Sequence, residues 1–460
     1  MAEYQKKLYT IDTFRAESCG KGHAFAGGGR FAAKSLCCDF ADGVLYTGVG
    51  LRGYTFDGDE VLADERLQNA DFFFFVEGED EQQQPTLKLF CVSLEGKMYT
   101  YYEKNWVFTF DFKSRVRVAW ALNKDRKKQY YFASKNGVHR LNGFIGFQTS
   151  IKTATADLCY YKDRLFCAVE PHSLAYSAPL FPNDFTESID DGGKIALPKR
   201  KGNIVALLPM KNALYLFYEY GIFVLEGAGS PRDFVVREIG YGGGRIFADS
   251  VGTCAVGGEK AFFLAENGVY VFDGNKAEKT CQNLPIKPVC EGQVCVHAEF
   301  DGKYYVSFLS QDNVRKAVCV DGESGLGYFT FEAFGASVDE GIAFCVADGA
   351  VKTFCSNGGS LPLGKAYSYN LSNADFDCEE RKVVKKLVLH GGGNVRVRLS
   401  GEKKSKEQLF DLTNGRAEAT FGVRGKLFDF TITLQEGAYL RAVEVEYLTL
   451  SGNAKRRFAL

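Results

Sequence analysis

The glycine-rich segment at residues 48–53 is the first place where residue types and spacing suggest chemistry. It reads GVGLRG and matches the G-x-G-x-x-G pattern of dinucleotide-binding folds. In those folds a helix must follow, because its N-terminus holds the pyrophosphate. The next residues, YTFDGDE, have strand and turn character instead. We therefore interpret these glycines as turn residues. The chain also lacks a phosphate-binding loop ending in Gly-Lys-Ser or Gly-Lys-Thr, which argues against an NTPase.

Histidines and acidic residues are the other candidates for catalytic or metal-binding groups. The five histidines do not have the H-x-x-x-H spacing of a helical zinc site, and there is no G-x-S-x-G nucleophile motif. The acidic groups with suitable spacing are Asp190 with Asp191, residues 77–81 (EGEDE), and Asp375 with Asp377 and Glu379. We interpret all three as surface loops. The chain also lacks the Asp-box repeat that is typical of sialidase propellers.

The chain has 14 cysteines, many of them inside apolar runs such as LFCVSL and RLFCAV. Cysteine in such runs behaves as a small apolar residue in a reducing compartment. Neither Cys37 with Cys38 nor Cys290 with Cys295 has the paired C-x-x-C spacing of structural zinc. We expect buried free thiols, no metal and no cofactor.

Basic residues form clusters that have two possible roles. One is an ordinary solvated loop. The other is a contact with DNA phosphates, which would be independent of sequence, or with a neighbouring subunit. The candidate contact residues are in two of these clusters: Lys124, Arg126, Lys127, Lys199, Arg200 and Lys201. Two more basic clusters lie at residues 403–406 (KKSK) and near the C-terminus (AKRRF).

The overall composition indicates which partners and which secondary structure to expect. The 460 residues carry 56 basic and 57 acidic side chains, so a strong overall field for nucleic acid or anionic lipid is not expected. No apolar run approaches the ~18 residues of a membrane-spanning helix, and the first residues lack the apolar core of a signal peptide. We expect a soluble protein made in the cytosol. The 50 glycines, 24 tyrosines and 39 phenylalanines favour short strands joined by tight turns.

Three octapeptides resemble one another: NGVHRLNG, YGIFVLEG and NGVYVFDG, at residues 136–143, 220–227 and 267–274. Each predicts a short strand with a tight turn at both ends. Weaker copies begin at Gly53, Gly96 and Gly349. Two further copies are implied near Ser177 and Ser310. The period near ~42 residues is that of one four-stranded propeller blade. Hairpin glycines in a β-sandwich are the alternative explanation.

The pattern changes after residue 365. Segments such as RKVVKKLVLHGGG, NVRVRLSG and KLFDFTITLQ alternate polar and apolar residues with period two. We therefore predict an all-β protein, with a β-propeller of roughly seven blades followed by a C-terminal antiparallel β-sandwich. The predicted boundaries are an N-terminal arm at 1–30, the propeller at 31–360 and the sandwich at 365–460.

The central part of the chain resembles a known protein family. Residues 163–227 include DRLFCAVEPHSLAYSAPLFPNDF and IVALLPMKNALYLFYEYGIFVLEG, and residues 235–274 end in FFLAENGVYVFDG. In order and spacing, these phrases resemble the β-propeller proteins of bacteriophage tails, which include packaged-DNA stabilisation, tail-hub and tail-nozzle components. The resemblance covers nearly the full length and is weakest in the first 30 residues.

The resemblance implies a non-catalytic virion component at the tail or neck, assembled in the host cytoplasm. It would form a homo-oligomeric ring through which DNA passes. Its partners would be copies of itself, neighbouring tail or connector proteins and, non-specifically, genomic DNA, but no membrane. The alternative from a different functional class is a carbohydrate-binding or glycoside-cleaving propeller that acts at a bacterial cell surface.

Overall fold

The computed structural model describes residues 4–15, 30–31, 34–79, 84–144, 146–188, 191–227, 230–254, 259–282, 284–356, 359–378 and 380–450. Most of the predicted N-terminal arm, residues 80 and 81 of the acidic EGEDE segment, and the AKRRF segment lie outside these residues. The described part is all-β and contains no α-helix; its two short 3-10 turns are Glu65–Leu67 and Pro231–Asp233. No helix in it is long and apolar enough to cross a membrane.

Four-stranded antiparallel sheets, in a β-propeller-like arrangement, form most of the structure. Seven such sheets occur in the described part of the chain, and we number them in chain order. Sheets 1 to 4 consist of Ala70–Glu79, Pro85–Ser93, Lys97–Tyr102 and Asn105–Asp111; Arg117–Leu122, Lys128–Ser134, Gly137–Asn142 and Gly146–Ile151; Thr155–Tyr161, Arg164–Val169, Ser173–Tyr176 and Gly193–Ala196; and Ile204–Met210, Ala213–Tyr218, Gly221–Glu226 and Val235–Ile239.

Sheets 5 to 7 follow the same plan, with one difference in the last. They consist of Gly252–Cys254, Lys260–Ala265, Gly268–Phe272 and Ala277–Lys279; Val296–Phe300, Lys303–Leu309, Arg315–Asp321 and Gly327–Thr330; and Phe334–Asp339, Ile342–Ala347, Ala350–Cys355 and Gly50–Gly53. The fourth strand of sheet 7 therefore comes from the beginning of the chain, whereas its other three strands follow sheet 6.

The glycine repeat marks one position in these sheets, the turn between the second and third strands. In sheets 3 and 6 this turn lacks glycine, and His172 and Asn313 have positive φ there instead. This explains why the two copies implied near Ser177 and Ser310 are hard to recognise. The copy at Gly53 was assigned wrongly, since Gly53 ends the fourth strand of sheet 7. The glycines at the shared turn are Gly96, Gly137, Gly221, Gly268 and Gly349.

The GVGLRG segment is a close-packed strand start and not a nucleotide loop. A Cβ added to Gly48 would lie 2.6 Å from the carbonyl oxygen of Cys37 and 2.7 Å from the Tyr328 ring. A Cβ added to Gly50 would lie 2.5 Å from the carbonyl oxygen of Gly359. Glycine is needed here because the backbone passes close to its neighbours.

Two larger sheets contain the C-terminal strands. The six-stranded sheet has the order Arg416–Gly425, Lys382–Gly392, Tyr439–Leu450, Val44–Thr47 and Cys38–Ala41, with Tyr4–Ile11 also paired to Tyr439–Leu450. The five-stranded sheet has the order Lys34–Leu36, Tyr367–Ala374, Phe428–Leu434, Asn394–Ser400 and Ser405–Asp411. Two short pairs complete the structure: Phe14–Arg15 with Arg30–Phe31, and Thr55–Phe56 with Asp59–Glu60.

The first strands of the chain belong to these C-terminal sheets. Tyr4–Ile11 pairs along its whole length with residues 443–450, and Lys34–Leu36 pairs with Tyr367–Ala374. The predicted boundary at residue 30 placed Lys34–Leu36, Cys38–Ala41 and Val44–Thr47 in the propeller. Their hydrogen bonds join them to the C-terminal part instead. Sequence alternation cannot reveal this, because it shows that a segment is a strand but not which strand is its partner.

One hydrophobic cluster connects the C-terminal sheets to sheets 6 and 7. Tyr305 and Phe354 belong to it together with Tyr369 and Val443, and all four are buried. At its edge, the Tyr328 hydroxyl accepts a 2.9 Å hydrogen bond from the backbone N–H of Val49. Burial of large apolar side chains is the main favourable term in folding, so this shared core fixes the two parts against each other.

Candidate functional site

A central cavity of about 610 Å³ lies where the first strands of all seven sheets meet. Each of these strands contributes at least one lining residue. Concave sites at which several elements converge are common places for ligands. The charged side chains of this cavity are therefore the primary candidates for function.

An ion-pair network lies at one end of the cavity. Arg115 lies just before the first strand of sheet 2, and its Nε donates to Asp71 of sheet 1 at 2.5 Å. Arg115 also pairs with Asp249, before sheet 5, and donates to the carbonyl oxygen of Cys295, before sheet 6, at 3.2 Å. Arg117 pairs with Asp249 as well. One guanidinium thus joins segments from four sheets across the cavity.

The carboxylates of the network are buried, and burial affects the charges of the network. Burial, together with repulsion from Arg115, lowers the pKa of Arg117 to about 10, so it stays protonated at neutral pH. The Asp71 and Asp249 side chains are only 3% and 8% exposed. Charges that are this deeply buried are tolerated only when they are paired, because desolvation costs several kcal/mol for each ion (roughly, in real proteins). Here, two arginines compensate two aspartates.

His297 and Glu299 lie on the first strand of sheet 6, next to this network. Burial, with repulsion from Arg117 and Arg115, lowers the pKa of His297 to about 4, so the ring is neutral near pH 7. Its Nδ1 lies 2.8 Å from the carbonyl oxygen of Asp249 and its Nε2 lies 3.6 Å from Glu299 Oε1. Burial raises the pKa of Glu299 to about 8. Glu299 Oε1 has no hydrogen-bond partner among the described residues.

Carboxylates also join neighbouring first strands directly. Asp157 of sheet 3 accepts a 2.7 Å hydrogen bond from the backbone N–H of Leu207 in sheet 4. Asp339 of sheet 7 accepts one of 2.6 Å from the N–H of Phe75 in sheet 1. Burial raises the pKa of both carboxyls to about 6. These side chains satisfy backbone donors that no strand partner reaches.

Aromatic side chains border the other end of the cavity. The rings of Trp120 and Tyr160 have centroids 5.8 Å apart, and Lys128 Nζ lies 5.5 Å from the Trp120 ring centroid. Trp120 is 39% exposed, whereas the other tryptophan, Trp106, is buried at 2%. A partly exposed aromatic pair at the mouth of a cavity is able to stack against an apolar or sugar face.

The first predicted basic cluster lies on one face of the sheets. Lys124, Arg126 and Lys127 are exposed in the turn between the first and second strands of sheet 2. Arg126 pairs with Asp163 at 3.3 Å and Lys127 with Glu79 at 3.8 Å. These acids lie on the same face, so two of the three charges are locally compensated.

The second predicted cluster lies on the opposite face. Lys199 and Arg200 are exposed and Lys201 is half-buried, in the connection from sheet 3 to sheet 4. Because antiparallel strands alternate in direction, this connection and the first-to-second-strand turns lie at opposite ends of the strands. Arg200 and Lys201 both pair with Glu238, and a hydrogen bond from Lys201 lowers the pKa of Glu238. The structure therefore does not bring the six predicted residues together, and their roles remain predictions.

The described residues contain no group of three or more His, Cys, Asp or Glu side chains suited to a metal ion. Thirteen cysteines are described and all are free thiols, with only Cys290 partly exposed. Of the acidic candidates, Asp190 and Glu379 lie outside the described residues. Asp191 is exposed and accepts a 2.8 Å hydrogen bond from the Ser188 hydroxyl.

Sequence reasoning missed the cavity network. A weak signal existed, since an Ala-Asp pair precedes or begins the first strand of sheets 1, 3 and 5, at Asp71, Asp157 and Asp249. The same pair also occurs in surface turns, at Asp42 and Asp348. The pair alone therefore does not distinguish an aspartate at a first strand from one in a surface turn.

Comparisons with known proteins do not identify a family. No protein-family model matches the chain, and no curated protein matches it. Among solved structures, the chain is similar to the computationally designed Ika8 protein, with 13% identity and a TM-score of 0.37 over 74% of this chain and 98% of that one. It is also similar to BBS1N in complex with ARL6DN, with 11% identity and a TM-score of 0.30 over 49% and 73%. Neither similarity defines a function.

Proposed function

We propose that the chain is a non-catalytic structural component of a bacteriophage virion, at the tail or neck, that forms a homo-oligomeric ring. In this proposal the seven four-stranded sheets are the blades of a seven-bladed propeller. The six- and five-stranded sheets are the two layers of a β-sandwich. The family assignment depends on the resemblance at residues 163–227 and 235–274, and the structure adds a physical argument for the role.

The observation that supports this role is that strands from the beginning of the chain pair with strands from its later parts. Gly50–Gly53 completes sheet 7, and Tyr4–Ile11 extends the strand pairing of Tyr439–Leu450. Together with the shared core, these contacts hold both parts of the chain in one fixed arrangement. A subunit of a ring needs such rigidity, because each contact must be repeated at the same angle for the ring to close.

The central cavity supports the same proposal. The ion pairs among Arg115, Arg117, Asp71 and Asp249 join segments of different sheets across it. DNA would therefore pass through a ring of subunits and not through the propeller of one subunit. The cavity network acts as a structural clamp in this account.

The test is mass measurement by light scattering combined with negative-stain imaging of the purified protein. We expect closed rings of a single symmetry and no turnover of bacterial glycans. A protein that stays monomeric at all concentrations and hydrolyses or retains such glycans would contradict the proposal.

The second candidate is a carbohydrate-binding propeller, which the Trp120–Tyr160 pair favours. Stacking on this pair would suit the apolar face of a sugar that enters the cavity. Since Trp106 is buried, binding at this mouth would change mainly the fluorescence of Trp120. We would titrate bacterial surface glycans and compare Trp120→Phe as the control. No fluorescence change with any glycan would exclude this candidate.

A further inference from the structure

A basic surface with few paired charges is present as a groove in the C-terminal part. It has a volume of about 680 Å³ and lies where one end of the six-stranded sheet meets a turn of the five-stranded sheet. Arg381 and Arg424 contribute from the first side, and Lys403 and Lys404 from the second. We call these four residues the cationic groove.

The turn that carries the lysines is fixed against the opposite wall. The backbone N–H of Glu402 donates to the carbonyl oxygen of Arg424 at 3.2 Å. The Glu402 carboxylate accepts from Arg381 Nε at 3.2 Å and from the Lys426 N–H at 3.1 Å. The hydrogen bond from Arg381 lowers the pKa of Glu402, which keeps this carboxylate ionised. Glu402 therefore holds the turn that carries the lysines against the opposite wall. Its carboxylate is already used in the hydrogen bonds with Arg381 and Lys426.

The other three cations form no ion pair with a described acid, although the nearby charge of Lys403 also helps to lower the pKa of Glu402. Among the described residues, no carboxylate lies within ion-pair distance of Lys403, Lys404 or Arg424, and all three are exposed. Glu402 is also the only acidic residue among the described residues that line the groove. The clusters at Lys124–Lys127 and Lys199–Lys201 differ, because most of their charges are paired with nearby acids.

The lining also indicates the kind of partner. Among the described residues that line the groove, the apolar side chains are Val383 and Leu448, and none is aromatic. Protein interfaces usually depend on aromatic or large apolar anchors in their buried centre, which this groove lacks. A partner held by charge alone fits better. Duplex DNA has about one negative charge per 1.7 Å of its axis, and lysine and arginine bind its phosphates without reading sequence.

We infer that the cationic groove binds the phosphate backbone of duplex DNA, independently of sequence. The choice of DNA over other polyanions is consistent with the proposed ring but does not require it. In this view the DNA contact lies on the C-terminal part and not on the propeller loops that the sequence suggested.

The test is fluorescence anisotropy with two labelled 20-bp duplexes of unrelated sequence, over a series of salt concentrations. The variant Lys403→Glu/Lys404→Glu/Arg424→Glu should bind on the order of tenfold or more weakly and show a smaller salt dependence, with a slope reduced by about 1 per removed contact. Its melting temperature should match that of the native protein, because all three side chains are exposed.

The matched control is Lys124→Glu/Lys127→Glu, which changes exposed lysines on the propeller. It should retain native affinity. Equal loss in both variants, unchanged binding in the groove variant, or displacement of DNA by poly-glutamate at equal charge concentration would overturn the inference. Light scattering on the same samples separates the two proposals, since a groove variant that still forms rings affects only the DNA contact.

Discussion

The carboxylate of Asp339 accepts a 2.6 Å hydrogen bond from the backbone N–H of Phe75, although 264 positions separate the two residues. This bond joins the first strand of sheet 7 to the first strand of sheet 1. It therefore lies where the series of sheets closes on itself. The neighbouring Ser337 hydroxyl accepts a second bond, of 3.0 Å, from the N–H of Phe73.

Asp339→Ala should lower the free energy of unfolding by about 1–3 kcal/mol, because the Phe75 N–H loses its acceptor inside the protein. Asp339→Asn should cost less, since the amide oxygen still accepts the bond. Urea denaturation at pH 7 measures both. Asp312→Ala, which removes an exposed ion pair with Lys316, is the control and should change stability little. Equal effects of Asp339→Ala and Asp312→Ala would contradict the closure role.

Glu299→Gln should stabilise the protein increasingly as the pH rises. Burial raises the pKa of Glu299 from 4.5 to about 8, so the native side chain contributes its full stability only below pH 4.5 and loses it as the pH rises through 8. The amide has no such ionisation cost. Above pH 8 we expect a gain on the order of 1–3 kcal/mol. Thermal melts at pH 5, 7 and 9 provide the check, with exposed Glu323→Gln as a pH-independent control.

Arg115→Met should destabilise the protein by about 3–5 kcal/mol, because it leaves the buried Asp71 carboxylate without its partner and weakens the pairing of Asp249. Arg126→Met removes an exposed pair with Asp163 and should cost less than about 1 kcal/mol. Chemical denaturation of both variants measures the difference. If Arg115→Met unfolded at the same midpoint as Arg126→Met, the cavity network would not be a clamp.

Ile11→Ala and Leu8→Ala form a matched pair on the N-terminal strand. Ile11 is fully buried against the C-terminal part, whereas Leu8 is 63% exposed. Ile11→Ala should lower the free energy of unfolding by about 2–5 kcal/mol, and Leu8→Ala should leave it nearly unchanged. Differential scanning calorimetry distinguishes them. Similar melting temperatures for the two variants would show that the pairing with Tyr439–Leu450 contributes little.

Gly50→Ala should be strongly destabilising, because its Cβ would lie 2.5 Å from the carbonyl oxygen of Gly359, a backbone atom that cannot move alone. Gly240→Ala has no atom within 4 Å of its added Cβ and should be neutral. Melting temperatures of the two purified variants test this. A native-like Gly50→Ala would show that the strand Gly50–Gly53 is not held closely in sheet 7.

The sequence by itself determined the local structure of this protein. Glycines such as Gly96 and Gly349 predicted tight turns, because glycine readily adopts the positive φ that such turns require. The alternation of polar and apolar residues after residue 365 predicted strands with two different faces. Only the tertiary structure decided which distant segments meet. It paired Tyr4–Ile11 with the last strand, placed Arg115 against Asp249, and separated the two predicted basic clusters onto opposite faces. The physical reason is that turns and alternation depend on neighbouring residues, whereas strand partners and buried ion pairs depend on how the whole chain closes.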